Sequence, residues 1–161
     1  MNVYPIEAGN FKLDGGAMFG VVPKSLWTKT NPADADNMIE MSSRCMLVEN
    51  SDKLILVDTG MGDKQSEKFF KYYKRWGSDN LVKSINSAGF SIDDVTDVLL
   101  THLHFDHCGG AVAWDSSKEA YDVLFKNANY WSNEKHWDWA TSPNPRDCLL
   151  YTSPSPRDSD Q

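Results

Sequence analysis

Thr101-His102-Leu103-His104-Phe105-Asp106-His107-Cys108-Gly109-Gly110 is the stretch on which the fold reading turns. Ahead of it runs Val95 to Thr101, whose apolar Val98, Leu99 and Leu100 predict a strand opening into a polar loop. In an extended chain, residues two apart face the same way. His102, His104 and Asp106 are therefore expected on one side, while His107 breaks the alternation and turns toward a neighbouring position. Gly109 and Gly110 permit backbone angles that bulkier residues resist. Imidazole and carboxylate suit zinc and other first-row divalent ions. Three of the four histidines in the chain fall between positions 102 and 107, so a chance cluster of surface histidines is a poor account of the run.

Working outward, Val3 to Leu13 reads as a strand and Gly15-Gly16 as a turn. Ala17 to Val22 reads as a second strand stopped by Pro23, and residues 28–37, rich in Asn, Asp and Pro, as a loop. Cys45 to Glu49 and Leu54 to Val57 are apolar runs separated by Asn50-Ser51-Asp52-Lys53, the pattern of a hairpin. Their near-continuous apolar character predicts a sheet covered on both faces. Val57 leads into Asp58-Thr59-Gly60, which by itself reads equally well as a tight turn after a strand. Aromatic residues at helical offsets predict a helix over Gln65 to Trp76. A second is expected over Asn80 to Ala88, ended by Gly89, and a short third over Ser132 to Ala140, capped by Ser132. Strands, then helices, then a strand entering a polar loop define a mixed α/β (α+β) domain. No internal repeat is present.

At 161 residues, with 40% hydrophobic and 24% charged residues, the chain is long and apolar enough for one folded core. A net charge of −7 argues against a nucleic-acid partner. The densest basic cluster, Lys71, Lys74 and Arg75, reads as a solvated helix face. Three cysteines, Cys45, Cys108 and Cys148, make no paired framework. Cys108 reads as a small residue in a tight loop. The N-terminus lacks a basic segment followed by an apolar one, and no apolar run approaches the ~20 residues needed to span a bilayer. The expectation is a cytoplasmic protein without a membrane partner.

The run His102-x-His104-x-Asp106-His107 meets the signature of the metallo-β-lactamase superfamily residue for residue, and the chain resembles that family. Val57-Asp58-Thr59-Gly60 is similar to its strand-end Asp-Thr-Gly motif. Asp14 to Pro23 resembles the N-terminal hairpin of its lactonase-like members, a branch to which His136 to Ala140 and Pro143 to Arg146 are also similar. The resemblance spans about residues 3–147 and implies an αββα sandwich, two sheets stacked between helices, of which this chain would be the N-terminal part. It further implies a dinuclear zinc site, with His102 and His104 on the first ion and Asp106 and His107 on the second. Asp106 would also orient the attacking hydroxide, and Asp58 would steady the ligand loop without touching metal. Met18, Phe19 and Val22 each read as strand packing, and together as an apolar wall of the substrate cleft. The implied reaction is hydrolysis of a small lactone or ester by metal-bound hydroxide. Phosphodiester or nucleic-acid hydrolysis is the alternative within the fold, and a non-catalytic metal-binding fragment the alternative outside it. Di-iron relatives typically carry Glu where His104 stands.

The family site also uses a further His, a bridging Asp and a last His downstream. Only His136 follows His107, and it reads as a structural or surface histidine. The expectation is that these 161 residues alone lack the complete site and have little activity. Residues 148–158, Cys-Leu-Leu-Tyr-Thr-Ser-Pro-Ser-Pro-Arg-Asp, resemble one translated frame of a transposase sequencing adapter. Residues 1–147 are therefore expected to be the genuine part of the domain. Residues 148–161 are expected to be an artefactual, disordered tail without contact to the core.

Overall fold

The computed structural model describes residues 1–142; the expectations for Pro143 to Arg146, for Cys148 and for the tail lie outside the described residues. Strand β1 (Asn2–Asp14) pairs antiparallel with β2 (Met38–Asn50), which pairs antiparallel with β3 (Lys53–Val57). The turn between β2 and β3 places Ser51 at φ 55°, and the expected hairpin is present. β2 begins seven residues before the expected run, because Ile39 and Ser43 continue its buried row beside charged or polar neighbours. β4 (Asp97–Leu99) then lies parallel to β3, and the edge strand β7 (Asn129–Trp131) lies parallel to β4. The sheet order is β1-β2-β3-β4-β7. A separate two-stranded ribbon joins β5 (Val112–Trp114) to β6 (Tyr121–Val123).

Ala17 to Val22 is not a strand. Helix α1 (Gly15–Phe19) takes its first half, because the Asp14 carboxylate accepts the Ala17 N–H at 2.7 Å and Gly20 turns the chain at φ 55°. That side-chain cap satisfies a helical N-terminus and outweighs the apolar run. α2 (Lys24–Trp27) follows, and its Trp27 indole stacks on Phe19 at 5.0 Å. α3 (Glu67–Tyr73) is shorter than expected: Lys74 adopts φ 40°, and Trp76 instead bridges to Asn10 of β1. Lys74 and Arg75 therefore lie beyond the helix. Lys74 pairs with Asp34 and Asp36, and Arg75 pairs with Asp63 at 2.5 Å and caps the Phe70 ring. α4 (Leu81–Ser87) is capped by Asn80 and stopped by Gly89 at φ 94°, the stop its sequence predicts.

α4 buries Leu81 and Ile85 against Ile6, Cys45, Leu47, Leu54, Leu56 and Val98 of the sheet, with Val95 and Phe125 completing the core. Period-two burial governs the strands: in β2, Cys45 and Leu47 are buried and Arg44 and Met46 exposed. The expectation of a sheet covered on both faces is thus corrected. Among the described residues only one face is covered. Met46, Leu99 and Trp131 share the open face in register. A second cluster, Phe11, Met61, Phe70 and Phe105, ties α3 to the far end of β1 and to α5 (Phe105–Cys108), a single turn within the histidine run. α6 (Glu134–Thr141) ends the described chain, capped by Asn133 rather than Ser132, since Asn133 accepts the Lys135 N–H at 2.9 Å.

Candidate metal centre

The site lies where β3 and β4 end. Because these strands are parallel and adjacent, the residues that follow them emerge side by side, Asp58 after β3 and Thr101-His102 after β4. The chain leaves β3 through Asp58 at φ 60°, a left-handed conformation that Asp tolerates better than most residues. The Asp58 N–H donates to Leu99 O at 2.9 Å.

The histidine run is extended only at its start. His102 and His104 follow the expected alternation, with ring centroids 4.7 Å apart. His104 then starts α5, and the His107 and Cys108 N–H groups both donate to its carbonyl. Asp106 and His107 are thus delivered by a helical turn, not by strand alternation. The turn brings His107 closer than the expected pattern, its ring 4.0 Å from that of His102. His107 Nε2 stands 3.7 Å from Asp106 Oδ2. All four residues of the motif are therefore gathered at one place.

Asp58 ties two of them, His107 directly and His102 through Thr101. One of its oxygens accepts the Thr101 N–H at 2.8 Å, and the other stands 2.9 Å from His107 Nδ1. The Thr101 hydroxyl bonds the same carboxylate at 2.8 Å and lies 3.0 Å from His102 Nδ1. Burial pushes the Asp58 carboxyl up, but the hydrogen bonds from His107 and Thr101 outweigh it, so Asp58 ionises below the usual range. The Asp58 contact raises His107. Burial, with His107 and His104 nearby, lowers His102. The Cys108 thiol is pushed up to about 11 by burial, which suits the packing role read from its sequence and not that of a nucleophile.

Gly109 and Gly110 serve a purpose other than the one their composition suggests. Neither has a positive φ. They let two backbones touch: a Cβ on Gly109 would lie 2.3 Å from Met61 O, and one on Gly110 2.2 Å from Thr59 O. Gly62 meets them from the other side, its own Cβ position 2.8 Å from Gly110 Cα. Thr59 N–H to His107 O at 2.7 Å and Gly110 N–H to Gly60 O at 2.9 Å bind the loops together. The Lys64 ammonium donates to Gly109 O from the same loop. Neither Thr101 nor Lys64 stood out in the sequence. Thr101 was recoverable only as the residue before the motif, and Lys64 carried no signal.

The donor chemistry fits divalent metal. His107 has Nδ1 engaged with Asp58, which leaves Nε2 as its unengaged nitrogen donor, and His102 has Nδ1 beside a hydroxyl. Among the described residues, no group of three or more His, Cys, Asp or Glu side chains is gathered so as to hold a metal ion. Met18 is half exposed and Phe19 is engaged with Trp27. His136 lies on α6, half-buried.

The family model of the metallo-beta-lactamase superfamily matches residues 39–160, more than half of the chain and most of the expected tail with it. The chain belongs to that superfamily. An N-acyl homoserine lactonase of Bacillus cereus is 28% identical over 104 residues, covering 58% of this chain and 40% of the relative. Among solved structures, a probable metal-dependent hydrolase from Staphylococcus aureus aligns over 94% of this chain and 53% of its own, at 29% identity and a TM-score of 0.84. AidC, a dizinc quorum-quenching lactonase in complex with the product N-hexnoyl-L-homoserine, aligns over 88% of this chain and 45% of its own, at 28% identity and a TM-score of 0.64. The chain thus spans less than half the length of the curated lactonase and about half of the solved structures. Among the described residues no helix is long and apolar enough to cross a membrane.

Proposed function

We propose that the whole protein is a metal-dependent hydrolase of lactones or esters and that these 161 residues supply part of its two-metal site. The observation that carries the reading is the gathering of His102, His104, Asp106 and His107 at one place, with Asp58 bonded to His107. His102 and His104 would hold one ion, Asp106 and His107 the other, and zinc is the ion best matched to this donor set. When bound, such ions lower the pKa of water to ~7 and polarise a carbonyl. The chain's own residues do the rest. Asp58 orients the imidazoles, the Gly109-Gly110 contact fixes the loop, and Asp106 accepts a proton or hydrogen bond from the attacking water. Met18 and Phe19 would line the apolar side of the substrate cleft. The lactonase relatives favour a lactone, and the net charge of −7 disfavours a nucleic acid.

Two ligands per ion are fewer than the three or four of a typical zinc site. The 161-residue chain would therefore bind Zn2+ weakly and turn over little, with the remaining ligands coming from outside these four residues. The experiment measures Zn2+ bound by this chain and turnover of lactones, aryl esters and phosphoesters by the longest gene product that contains it. Metal-dependent lactone or ester hydrolysis, abolished by His104→Ala, is the expected result. A gene product inactive on the whole panel, or active without metal, would overturn the reading.

A further inference from the structure

Asp58 touches His107 directly but reaches His102 only through Thr101. The Thr101 Oγ1 atom stands 2.8 and 3.0 Å from the two Asp58 oxygens and 3.0 Å from His102 Nδ1. A hydroxyl has a single proton to give. An ionised carboxylate only accepts, so that proton must point at Asp58; the reverse polarity would face three oxygen lone-pair sets toward one another. The hydroxyl is then left as an acceptor for His102, whose Nδ1 must carry the hydrogen. By the same logic His107 Nδ1 carries one toward Asp58.

We propose that Thr101 is a positioning residue whose hydroxyl relays the orienting effect of Asp58 to His102, so that one carboxylate sets the Nδ1–H tautomer of two imidazoles. Both rings then present Nε2 to the space they share. The tautomers are a property of the metal-free chain, whereas their consequence for metal affinity deepens the metal-site reading and rests on it. Outer partners of this kind typically change metal affinity by ~10–100-fold. Thr101 is exposed, where water competes with its bonds, so the lower end of that range applies.

The test uses the 161-residue chain, metal-free, with 15N-labelled histidine, and long-range 1H–15N imidazole spectra at about pH 8, above the ordinary imidazole pKa of ~6.5. His102 and His107 are both expected as Nδ1–H in the wild type. Thr101→Val keeps the backbone N–H bond to Asp58 and removes only the relay, and the exposed site tolerates the methyl. It should move His102 toward Nε2–H, leave His107 unchanged and weaken Zn2+ binding ~10-fold in chelator competition. Thr101→Ser should restore both. An Nε2–H tautomer on His102 in the wild type overturns the proposal whether or not any variant folds. So does a His102 tautomer indifferent to Thr101→Val, or a failed rescue by Ser. Tautomers as expected with no Zn2+ bound by any form would uphold the relay and overturn only its consequence for metal affinity in this chain.

Discussion

Replacing Gly110 by Ala tests whether backbone contact is what the glycine pair provides. The new Cβ would lie 2.2 Å from Thr59 O and 3.2 Å from Thr59 C. Restoring van der Waals contact requires the two loops to part by about 1.2 Å. That shift would lengthen past bonding range the Gly110 N–H to Gly60 O bond at 2.9 Å, and the two bonds from Thr59 to His107 O at 2.7 and 3.1 Å. Overpacking costs about 1–3 kcal/mol, and each lost bond about 1 kcal/mol. Because the loop relieves the clash only by giving up the bonds, the two costs overlap, and about 3 kcal/mol is expected. With a urea m-value of ~2 kcal/mol/M, the unfolding midpoint should fall by ~1.5 M. Gly89→Ala is the control. Gly89 sits at φ 94° with nothing within 4 Å of its Cβ position, so only a backbone penalty of about 1 kcal/mol applies. If Gly110→Ala unfolds at the same urea concentration as Gly89→Ala, the backbone-contact argument is wrong.

Asp58→Asn should weaken Zn2+ binding ~10–100-fold in chelator competition, since its amide turns a donor toward groups that themselves donate, Thr101 and His107. Phe125→Ala empties a fully buried position in the main core and should cost about 3–5 kcal/mol in urea unfolding. The Asp97 carboxyl is held down to about 2 by the Trp131 indole, Lys53 and Thr96. A depressed folded pKa means this contribution is present above the ordinary carboxylate value of ~3.9 and is lost as pH falls toward about 2. Asp97→Asn should therefore flatten the decline of the urea midpoint across that window, and an unchanged slope would remove Asp97 from the account.

The histidine run was legible because ligating residues close in sequence must stay close in space, whatever the local backbone. The backbone itself was misread: alternation accounts for His102 and His104, whereas a turn of helix carries Asp106 and His107. Asp58, too, was found through motif resemblance, but its partners were not, since Thr101 and His107 stand 43 and 49 positions away and only parallel strand pairing brings them together. The Ala17 to Val22 segment failed because one side-chain bond from Asp14 decided between helix and strand. Strands β5, β6 and β7 are three residues each, too short for any periodicity to register. The glycine pair was assigned to unusual dihedrals when its cause is a neighbouring chain segment, which no local reading of the sequence contains.

The adjacency of Asp58 and Thr101 belongs to the sheet and not to the chain that connects them. Val57 and Leu99 are register partners, and the two site loops leave from that last rung. The covalent path between them runs through α3, the exposed Gly77-Ser78-Asp79 turn and α4, and none of its residues between Lys64 and Thr96 bonds to a histidine of the run. A protease nick in that turn should accordingly leave a non-covalent pair of fragments. The first would be held to the second by β3–β4 pairing and by the Phe11, Phe70 and Phe105 contacts, and the histidine cluster would remain assembled across the cut.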